Sequence, residues 1–518
     1  MIDIVLINPR SDVSYWGLEH ALPLFGKRAN MPVASLPLLA ALTPDEHSVT
    51  IIDEDVEPID FERCAQADIV GLTGMSVHRF RMREILTELK RRHVTTVVGG
   101  PWVTVDEHYF GELADFVFIG EAEETWPAFL EAWAAGCAET RYEQAELTNM
   151  SMVPVPRFDL LSMDQYAFGS VQFSRGCPFT CEFCDIIVIF GRRPRIKSSS
   201  QIIKELEALL EQGVEMVFIV DDNLIGNKKA IKLVLKAVAD WQEANGYPFI
   251  FFTEASLDLA EDEELLELMI GANILSVFIG IESPNEALLR ETKKLQNVRG
   301  SAMVDRVHRI QDAGIEVWCG MIVGFDIDDR SIFEAQRRFI EDARIVHAMI
   351  GMLVAIPKTP LHKRLAEADR LDPADQPAFG TNVIPLNMTQ AELAEGYADL
   401  MASLYKPSAY FDRVDSLYLD GRLTPRGGQT RYWQRHRWRG WQAKARFCAG
   451  ALGLFFRLMW GVSEAALRRE YKLRLWRIWV ARRDPYVLLL YAIKCAMHYH
   501  AHLMTRRTET NGSVINVI

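Results

Sequence analysis

Three cysteines in one short segment are the residues of this chain best suited to chemistry. Cys177, Cys181 and Cys184 lie within the run from Arg175 to Asp185. Their C-x-x-x-C-x-x-C spacing places three soft thiolates on one loop, enough to hold three irons of a 4Fe-4S cluster and leave the fourth iron open. We therefore predict that the three cysteines are metal ligands.

A structural zinc site is the alternative for this segment, but zinc sites normally present four protein ligands, often as two pairs. The sequence offers no second C-x-x-C pair. A disulfide framework is also not expected, because the remaining cysteines are scattered singly. They are Cys64, Cys137, Cys319, Cys448 and Cys495, of which Cys319 falls inside a predicted strand as a buried thiol.

Length and composition indicate a large globular protein. The chain has 518 residues, 49% of them hydrophobic, which suits two to four domains with substantial cores. Residues 1–10 lack the basic region and long apolar stretch of a secretory signal, so we expect a cytoplasmic location.

Charge is unevenly distributed along the chain. The net charge is -13, but residues 421–518 contain 19 Lys and Arg against 4 Asp and Glu, a balance of +15. Residues 1–420 therefore carry about -28. The C-terminal tail is electrostatically distinct from the rest.

An α/β fold with parallel sheets must position the cysteine loop. Residues 1–135 alternate apolar runs with helix-length segments, which predicts a doubly wound sheet whose ligands bind beyond the carboxyl ends of its strands. Residues 136–168 are predicted as a linker, and residues 169–370 as a partial (βα)6 barrel. Residues 371–518 are predicted to be a helical domain. The predicted strands are 4–8, 49–53, 69–73, 95–99 and 116–120, then 170–174, 216–220, 249–253, 276–280, 317–323 and 348–354.

Small and polar residues follow the predicted strands. In the first sheet, glycines there would let the backbone approach a large flat ligand, although any one of them could simply form a tight turn. In the barrel, acids fall at successive strand ends, although each alone could be a helix cap or a loop salt bridge. The first set is Asn8, Arg10, Gly74, Ser76, Gly99, Gly100, Gly120 and Glu121, and the second is Asp222, Asn223, Glu254, Glu282, Ser283 and Asp326.

The cysteine run resembles the signature of the radical S-adenosylmethionine (radical SAM) superfamily. Together with the domain before it, residues 1–400 resemble cobalamin-dependent radical SAM enzymes. Residues 169–197 and 355–360 are similar to the subgroup that contains hopanoid methylases. This resemblance implies three cofactors, a 4Fe-4S cluster, S-adenosylmethionine (SAM) and cobalamin.

The resemblance also implies residue roles. Asp222 and Asn223 would contact the amino end of SAM, and Glu282 and Ser283 its ribose. Gly320 and Gly324 would lie beside adenine, although the acid that follows in the family is displaced to Asp326 here. Glu254 would join this SAM set, and the eight residues of the first sheet would contact cobalamin.

One further motif could be mistaken for a cobalt-binding histidine site. Asp106, His108 and Gly111 spell the D-x-H-x-x-G by which another cobalamin class supplies a histidine to cobalt. Here it follows the fourth predicted strand rather than the first, so we interpret His108 as an ordinary helix residue.

The implied activity is methyl transfer to an unactivated carbon of a hydrophobic substrate, a hopanoid or another isoprenoid lipid. One SAM would methylate cobalamin and a second would be cleaved at the cluster, with electrons from a reductant such as ferredoxin or flavodoxin. The first alternative is a radical cyclase or oxidase of a lipid or tetrapyrrole without net methyl transfer. An RNA thiomethyltransferase would carry further N-terminal cysteines, and a cobalamin sensor would need no cluster.

The basic tail alternates arginine with tryptophan, and six of the chain's twelve tryptophans lie in it. Amphipathic helices of this kind suit an anionic membrane surface, so we expect peripheral contact of residues 431–507 with the inner face of the membrane. The apolar stretches 451–456 and 486–493 are too short to span a bilayer. No nucleic acid partner is expected, since no RNA-binding fold is evident. A helical domain packed on the barrel, with its arginines in salt bridges, is the other alternative.

Overall fold

The computed structural model describes residues 1–374, 380–423 and 427–511, with side chains to residue 507. The chain forms two compact units. Unit 1 comprises Met1–Val13, Arg28–Asn227 and Ala355–Phe379, and unit 2 comprises Ser14–Lys27, Lys228–Val354 and Gly380–Ile518.

The described residues contain fourteen strands, of which β1 to β10 belong to unit 1 and β11 to β14 to unit 2. In chain order they are β1 (Asp3–Asn8), β2 (Ser48–Asp53), β3 (Ile69–Thr73), β4 (Thr96–Gly99), β5 (Phe116–Ile119), β6 (Arg141–Glu143), β7 (Gly169–Val171), β8 (Ser174–Arg175), β9 (Arg195–Ile196), β10 (Met216–Ile219), β11 (Ile250–Glu254), β12 (Ile274–Glu282), β13 (Glu316–Val323) and β14 (Ala348–Met352).

The α-helices of unit 1 are α2 to α8 and α15, and the others belong to unit 2. In chain order they are α1 (Leu22–Phe25), α2 (Ser35–Leu42), α3 (Phe61–Gln66), α4 (Arg79–Arg91), α5 (Pro101–Val105), α6 (Thr125–Ala134), α7 (Ile186–Ile189), α8 (Ser199–Glu211), α9 (Lys228–Asn245), α10 (Glu263–Gly271), α11 (Glu286–Glu291), α12 (Leu295–Val298), α13 (Met303–Ala313), α14 (Ser331–Asp342), α15 (Pro360–Glu367), α16 (Gln390–Leu404), α17 (Pro407–Tyr418), α18 (Gly428–Arg435), α19 (Arg437–Gly461), α20 (Ala465–Arg482) and α21 (Pro485–Asn511).

The first sheet of unit 1 is parallel throughout, with strand order β2-β1-β3-β4-β5-β6. Successive side chains of β1 enter opposite cores. Val5 and Ile7 pack in the core that contains α4, whereas Ile4 and Leu6 pack in the core that contains Trp126 of α6. Burial of both faces is what a doubly wound sheet requires, so this prediction is confirmed.

Strand β6 was not predicted from the sequence. It lies within residues 136–168 and pairs with β5 in parallel, Val117 opposite Arg141. Its three residues, Arg141 to Glu143, include two exposed charged side chains and form no apolar run. The hydropathy pattern of the sequence cannot reveal a strand of this kind.

The predicted strand 170–174 is divided in two. β7 pairs with β10 in parallel, whereas β8 pairs with β9 as an antiparallel hairpin. The chain leaves the β7 direction where Asp221 accepts hydrogen bonds from the Phe173 N–H at 2.7 Å and the Ser174 hydroxyl at 2.5 Å. The cysteine loop therefore starts from a hairpin, not from the sheet itself.

Unit 2 contains four parallel strands in the order β11-β12-β13-β14. Their core is built from side chains with no exposed surface, including Ile279, Val317 and Ile350. Cys319 on β13 is fully buried as predicted, and burial raises the pKa of its thiol far above the usual range.

The C-terminal region of unit 2 is helical as predicted. α19 and α20 both pack against α21. Lys494 of α21 forms a buried 2.7 Å ion pair with Glu316 of β13, and the Tyr418 hydroxyl donates to the same carboxylate at 2.7 Å. Arg474 of α20 pairs with Asp415 of α17 at 2.6 Å. Some basic residues of the tail thus serve internal packing, and no described helix is long and apolar enough to cross a bilayer.

Candidate active site

The cysteine loop runs from the end of β8 to the start of α7, all within unit 1. The β8–β9 hairpin closes its base, and the Cys177 N–H donates to the Gly191 carbonyl at 3.3 Å. Gly176 has a φ of +95°, and a Cβ there would lie 2.9 Å from the Gly191 oxygen. Both constraints require glycine directly before the first cysteine.

Two carboxylates after β10, the buried Asp221 and the half-buried Asp222, bind the start of this loop. Asp222 accepts from the Gly176 N–H at 2.8 Å, and Asp221 binds Phe173 and Ser174 as described above. Burial raises the pKa of Asp221 to about 7 and that of Asp222 to about 6. Asp222, predicted to contact SAM, therefore also shapes the cysteine loop.

Helix α15 forms a hydrogen bond and an ion pair with the cysteine loop, and the segment before α15 contacts α5. The Leu361 N–H donates to the Glu182 carbonyl at 3.0 Å, and Arg364 pairs with the Glu182 carboxylate at 2.6 Å. Upstream, the Lys358 ammonium donates to the Thr104 carbonyl in α5 at 2.6 Å. Residues 355–367 therefore tie the cysteine loop and the first domain together within unit 1, a role that sequence reasoning missed.

The three loop thiols differ in burial. Cys181 is buried, Cys177 and Cys184 are half-buried, and the eight cysteines, all in the described part of the chain, form no disulfide. Among the described residues, no group of three or more Cys, His, Asp or Glu side chains converges on one mononuclear metal position. The three cysteines therefore stay the predicted ligands of a 4Fe-4S cluster, in which each thiolate would bind a different iron.

A cavity of about 600 Å³ opens within unit 1 at the carboxyl ends of β1, β3, β4 and β5. This is where ligands of doubly wound sheets bind. Six of the eight residues predicted to contact cobalamin line it: Asn8, Gly74, Gly99, Gly100, Gly120 and Glu121. Arg10 and Ser76 do not, and the Arg10 side chain lies beside Glu54, 63% exposed.

Much of the cavity wall is apolar and was not predicted. Helix α2 contributes Leu36, Leu38, Leu39 and Leu42, and the core side of the sheet contributes Phe118. The available sequence signal was the composition of α2, Ser-Leu-Pro-Leu-Leu-Ala-Ala-Leu, which is apolar on every face. A helix apolar all round is buried on all sides or faces a ligand.

Two buried polar atoms on cavity-lining residues, together with open space at Gly120, are relevant to cobalamin. Ser170 and Glu205 line the cavity, and their buried atoms Ser170 Oγ and Glu205 Oε2 have no hydrogen-bond partner among the described residues. Buried acceptors rarely stay unpaired, and the corrin ring carries carboxamides whose N–H groups could donate to both. A Cβ on Gly120 would meet no atom within 4 Å, so space for a ligand exists there. The residues present therefore fit the cofactor.

A buried charge network joins the cavity to the cysteine loop. Glu121 pairs with Arg175 of β8 at 2.6 Å and with Arg195 of β9 at 2.9 Å, and accepts from the Thr148 N–H at 2.9 Å. Glu123 also pairs with Arg175, at 2.6 Å. Burial opposes ionisation, but the two arginines keep the pKa of Glu121 below its usual value. Glu121 thus lines the cavity while its charge anchors the hairpin.

Two histidines near the sheet have different surroundings. His108 is exposed in a turn, because α5 ends at Val105, so its predicted helical position is wrong. His78 is buried and lines the cavity, a position that sequence reasoning missed. Its Nδ1 accepts from the Met75 N–H at 3.0 Å, and burial lowers its pKa to about 4. His78 therefore holds the loop after β3 as a neutral imidazole.

In unit 2, the predicted SAM residues follow the strand ends. Glu254 ends β11 and Glu282 ends β12, with a φ of +66° at Glu282. The Glu282 carboxylate pairs with Lys294 at 2.7 Å. Ser283 is fully buried, and its hydroxyl accepts from the Asn285 N–H at 3.2 Å.

Two glycines predicted to lie beside adenine are found in β13 and directly after it. Gly320 lies opposite Gly280 of β12, and a Cβ on it would lie 2.8 Å from the Phe278 ring. Gly324 has a φ of +101°. Asp328 accepts from the Gly324 and Phe325 N–H groups, each at 3.0 Å, and burial raises its pKa to about 7. The acid that closes this turn is Asp328, and the role of Asp326 beside adenine stays a prediction.

Comparison with known families agrees with this organisation. The B12 binding domain model matches residues 29–130, and the Radical SAM superfamily model matches residues 171–339. A domain of unknown function, DUF4070, matches residues 359–512.

Full-length relatives extend the match. The hopanoid C-2 methylase of Rhodopseudomonas palustris is 31% identical over 488 residues, 92% of this chain and 89% of the relative. An uncharacterized methyltransferase of Synechocystis sp. is 39% identical over 415 residues, 79% of this chain and 77% of the relative.

Among solved structures, the cobalamin-dependent S-adenosylmethionine radical enzyme OxsB, solved with aqua-cobalamin and S-adenosylmethionine bound, has a TM-score of 0.62 at 14% identity. The match covers 100% of this chain and 82% of that chain. This likeness confirms the predicted fold class. The chain therefore belongs to the cobalamin-dependent radical SAM methyltransferases, in the subgroup similar to hopanoid methylases, and its cofactors are a 4Fe-4S cluster, SAM and cobalamin.

Proposed function

We propose that this enzyme adds a methyl group to an unactivated carbon of a hopanoid or another isoprenoid lipid. The observation that carries the methyl-transfer chemistry is the cavity of unit 1, which is joined to the cysteine loop by the buried Glu121–Arg175 pair. The lipid substrate is supported by the hopanoid C-2 methylase, which aligns with 92% of the chain.

The chain's own residues would hold and shield the reacting groups. When bound, SAM at the cluster supplies a radical that removes hydrogen from carbon, and cobalamin supplies the methyl group. Gly176, fixed by Asp222, sets the position of the first cysteine. Arg175 and Glu121 hold that loop against the cavity, whose leucines exclude water. Electrons would come from a one-electron reductant such as ferredoxin or flavodoxin.

The test is mass spectrometry of lipid extracts from three strains of the source organism. One strain carries the intact gene, one a Cys177→Ala allele, and one a Cys137→Ala allele as the control, since Cys137 is exposed and outside the loop. We expect one lipid to lose a single CH2 unit only in the Cys177→Ala strain. Unchanged lipids in that strain would contradict the lipid substrate, and a difference of two hydrogens would indicate the cyclase or oxidase alternative.

A further inference from the structure

Large apolar side chains are exposed in one part of unit 2. Of the nineteen that the described residues expose, nine lie between residues 438 and 480. Five belong to α19, with exposed fractions from 51% at Leu452 to 88% at Trp460. The five are Trp438, Trp441, Leu452, Phe456 and Trp460. Exposed patches of this kind mark interaction sites more often than chance.

These five residues form one stripe, which we call the outer face of α19. At 100° per residue, Trp438, Leu452 and Phe456 share one side of the helix, with Trp441 and Trp460 beside them. The opposite stripe, from Gly440 to Leu458, is buried, and the helix packs there against its neighbours, chiefly α21. Packing within unit 2 thus explains one apolar face of α19 and leaves the outer face unexplained.

Basic residues border the outer face on both sides. Arg439 and Arg446 project on one side of it, Arg437 and Lys444 on the other, and all four are exposed. Residues 437–461 contain five Lys and Arg and no Asp or Glu. An ordinary surface helix has its charges at the centre of its exposed face, whereas here that centre is apolar and the charges flank it.

We propose that the outer face of α19 binds the surface of an anionic lipid membrane, with the helix parallel to the bilayer. Tryptophan and phenylalanine would enter the boundary between headgroups and acyl chains, while flanking arginine and lysine reach the phosphates. The stripe from Trp438 to Trp460 is about 33 Å long at 1.5 Å per residue. No described helix is suited to cross the bilayer, so this contact is peripheral.

Charge and apolar pattern favour a membrane over two other occupants. A second copy of the chain would bring two faces bordered by arginine and lysine together, with no acidic residue of α19 to compensate them. A nucleic acid would meet an apolar centre where phosphate contacts need positive charge. The surface of an anionic membrane can accommodate both the apolar centre of the outer face and the basic residues that flank it.

The test is sedimentation of the cofactor-loaded full-length protein with vesicles, without substrate, so its outcome is independent of the proposed lipid methylation. Vesicles of phosphatidylcholine alone are compared with vesicles that also contain phosphatidylglycerol. The apolar variant is Trp441→Gln with Trp460→Gln, and the charge variant is Arg437→Gln with Lys444→Gln. The matched control is Leu233→Gln, which removes a 66% exposed apolar side chain elsewhere in unit 2.

We expect binding only to the anionic vesicles, weakened at least tenfold in each double variant and unchanged in Leu233→Gln. Circular dichroism and cluster absorption should match wild type in all variants, since the substituted side chains are exposed. Failure of wild type to bind anionic vesicles would overturn the proposal. If the wild type does not bind vesicles but self-associates, and the apolar variant abolishes this self-association, the outer face would be assigned to a second copy of the chain. If the wild type does not bind vesicles but binds RNA, and the charge variant abolishes RNA binding, the outer face would be assigned to RNA.

Discussion

At the scale of single residues, we expect each of the three loop cysteines to be required as a ligand of the cluster. Cys181→Ala should lose the visible absorption of the cluster, most of its iron and all SAM cleavage, because one iron would lack its protein ligand. Cys137→Ala should retain all three, since its thiol is exposed and outside the loop. Anaerobic reconstitution followed by iron analysis and absorption spectroscopy measures both. Full iron content in Cys181→Ala would exclude Cys181 as a ligand.

The unpaired acceptor Ser170 Oγ gives a second prediction at this scale. Ser170→Ala should weaken cobalamin binding about fivefold, the worth of about one hydrogen bond. It should not lower the stability of the cobalamin-free protein, because the hydroxyl has no hydrogen-bond partner among the described residues. Titration followed by the visible spectrum of cobalamin, with thermal unfolding of the free protein, measures both effects. An unchanged affinity would remove Ser170 from the cobalamin site.

What the sequence reveals at this scale depends on how local a role is. The three cysteines can be singled out from the sequence because their spacing alone defines the motif, and their role as cluster ligands stays a prediction. Glu205 could not, because its importance comes from a cavity formed by distant segments. Asp328 was not predicted because only the folded turn shows that its carboxylate accepts from the Gly324 N–H.

At the scale of elements, Glu121 after β5 and Arg175 of β8 form the joint between the first sheet and the cysteine hairpin. Glu121→Gln should lower the free energy of unfolding by about 3 kcal/mol, because it leaves buried arginine charge less compensated. Asp159→Asn is the matched control, since its pair with Arg157 is about half exposed and worth at most about 1 kcal/mol. Urea unfolding measures both variants. Equal losses in the free energy of unfolding would show that the buried Glu121–Arg175 pair stabilises the fold no more than the exposed Arg157–Asp159 pair does.

Helix α21 has a buried histidine that should make unit 2 sensitive to acid. Nε2 of His498 donates to the Tyr405 carbonyl at 3.1 Å, and its Nδ1 accepts from the Tyr471 hydroxyl at 2.6 Å. Burial lowers its pKa to about 3, from an ordinary value of 6.5. Below pH 6.5 the unfolded chain binds a proton that the folded chain excludes, so stability falls as pH falls through this window.

The expected cost at His498 is about 2 kcal/mol between pH 7 and pH 5. A His498→Gln variant should lose less stability over the same interval by about that amount, since glutamine does not titrate. Urea unfolding of both proteins at the two pH values gives the comparison. Parallel losses would show that His498 is not a source of the acid sensitivity.

Elements were predictable where their hydropathy is strong. The strands of both sheets are short apolar runs, and most predicted bounds fall within one or two residues of those observed. β6 was missed because it is three residues long and mostly polar, and the division at β7 and β8 was missed because it depends on Asp221 from a distant segment.

At the scale of the whole molecule, the sequence predicts the order of cobalamin-binding domain, radical core and helical extension. The family models follow the same order along the chain. The compact units divide the chain differently, because Ala355–Phe379 returns to unit 1. Only the folded structure shows that α15 supports the cysteine loop, since residues 182 and 364 are distant in sequence.

Methyl transfer can be tested by product analysis of the purified, cofactor-loaded enzyme with a reductant, a hopanoid substrate and SAM deuterated on its methyl group. We expect S-adenosylhomocysteine and 5'-deoxyadenosine in equal amounts, together with a product that carries the deuterated methyl group. 5'-Deoxyadenosine formed without S-adenosylhomocysteine, with an unlabelled product, would contradict methyl transfer and indicate the cyclase or oxidase reaction instead.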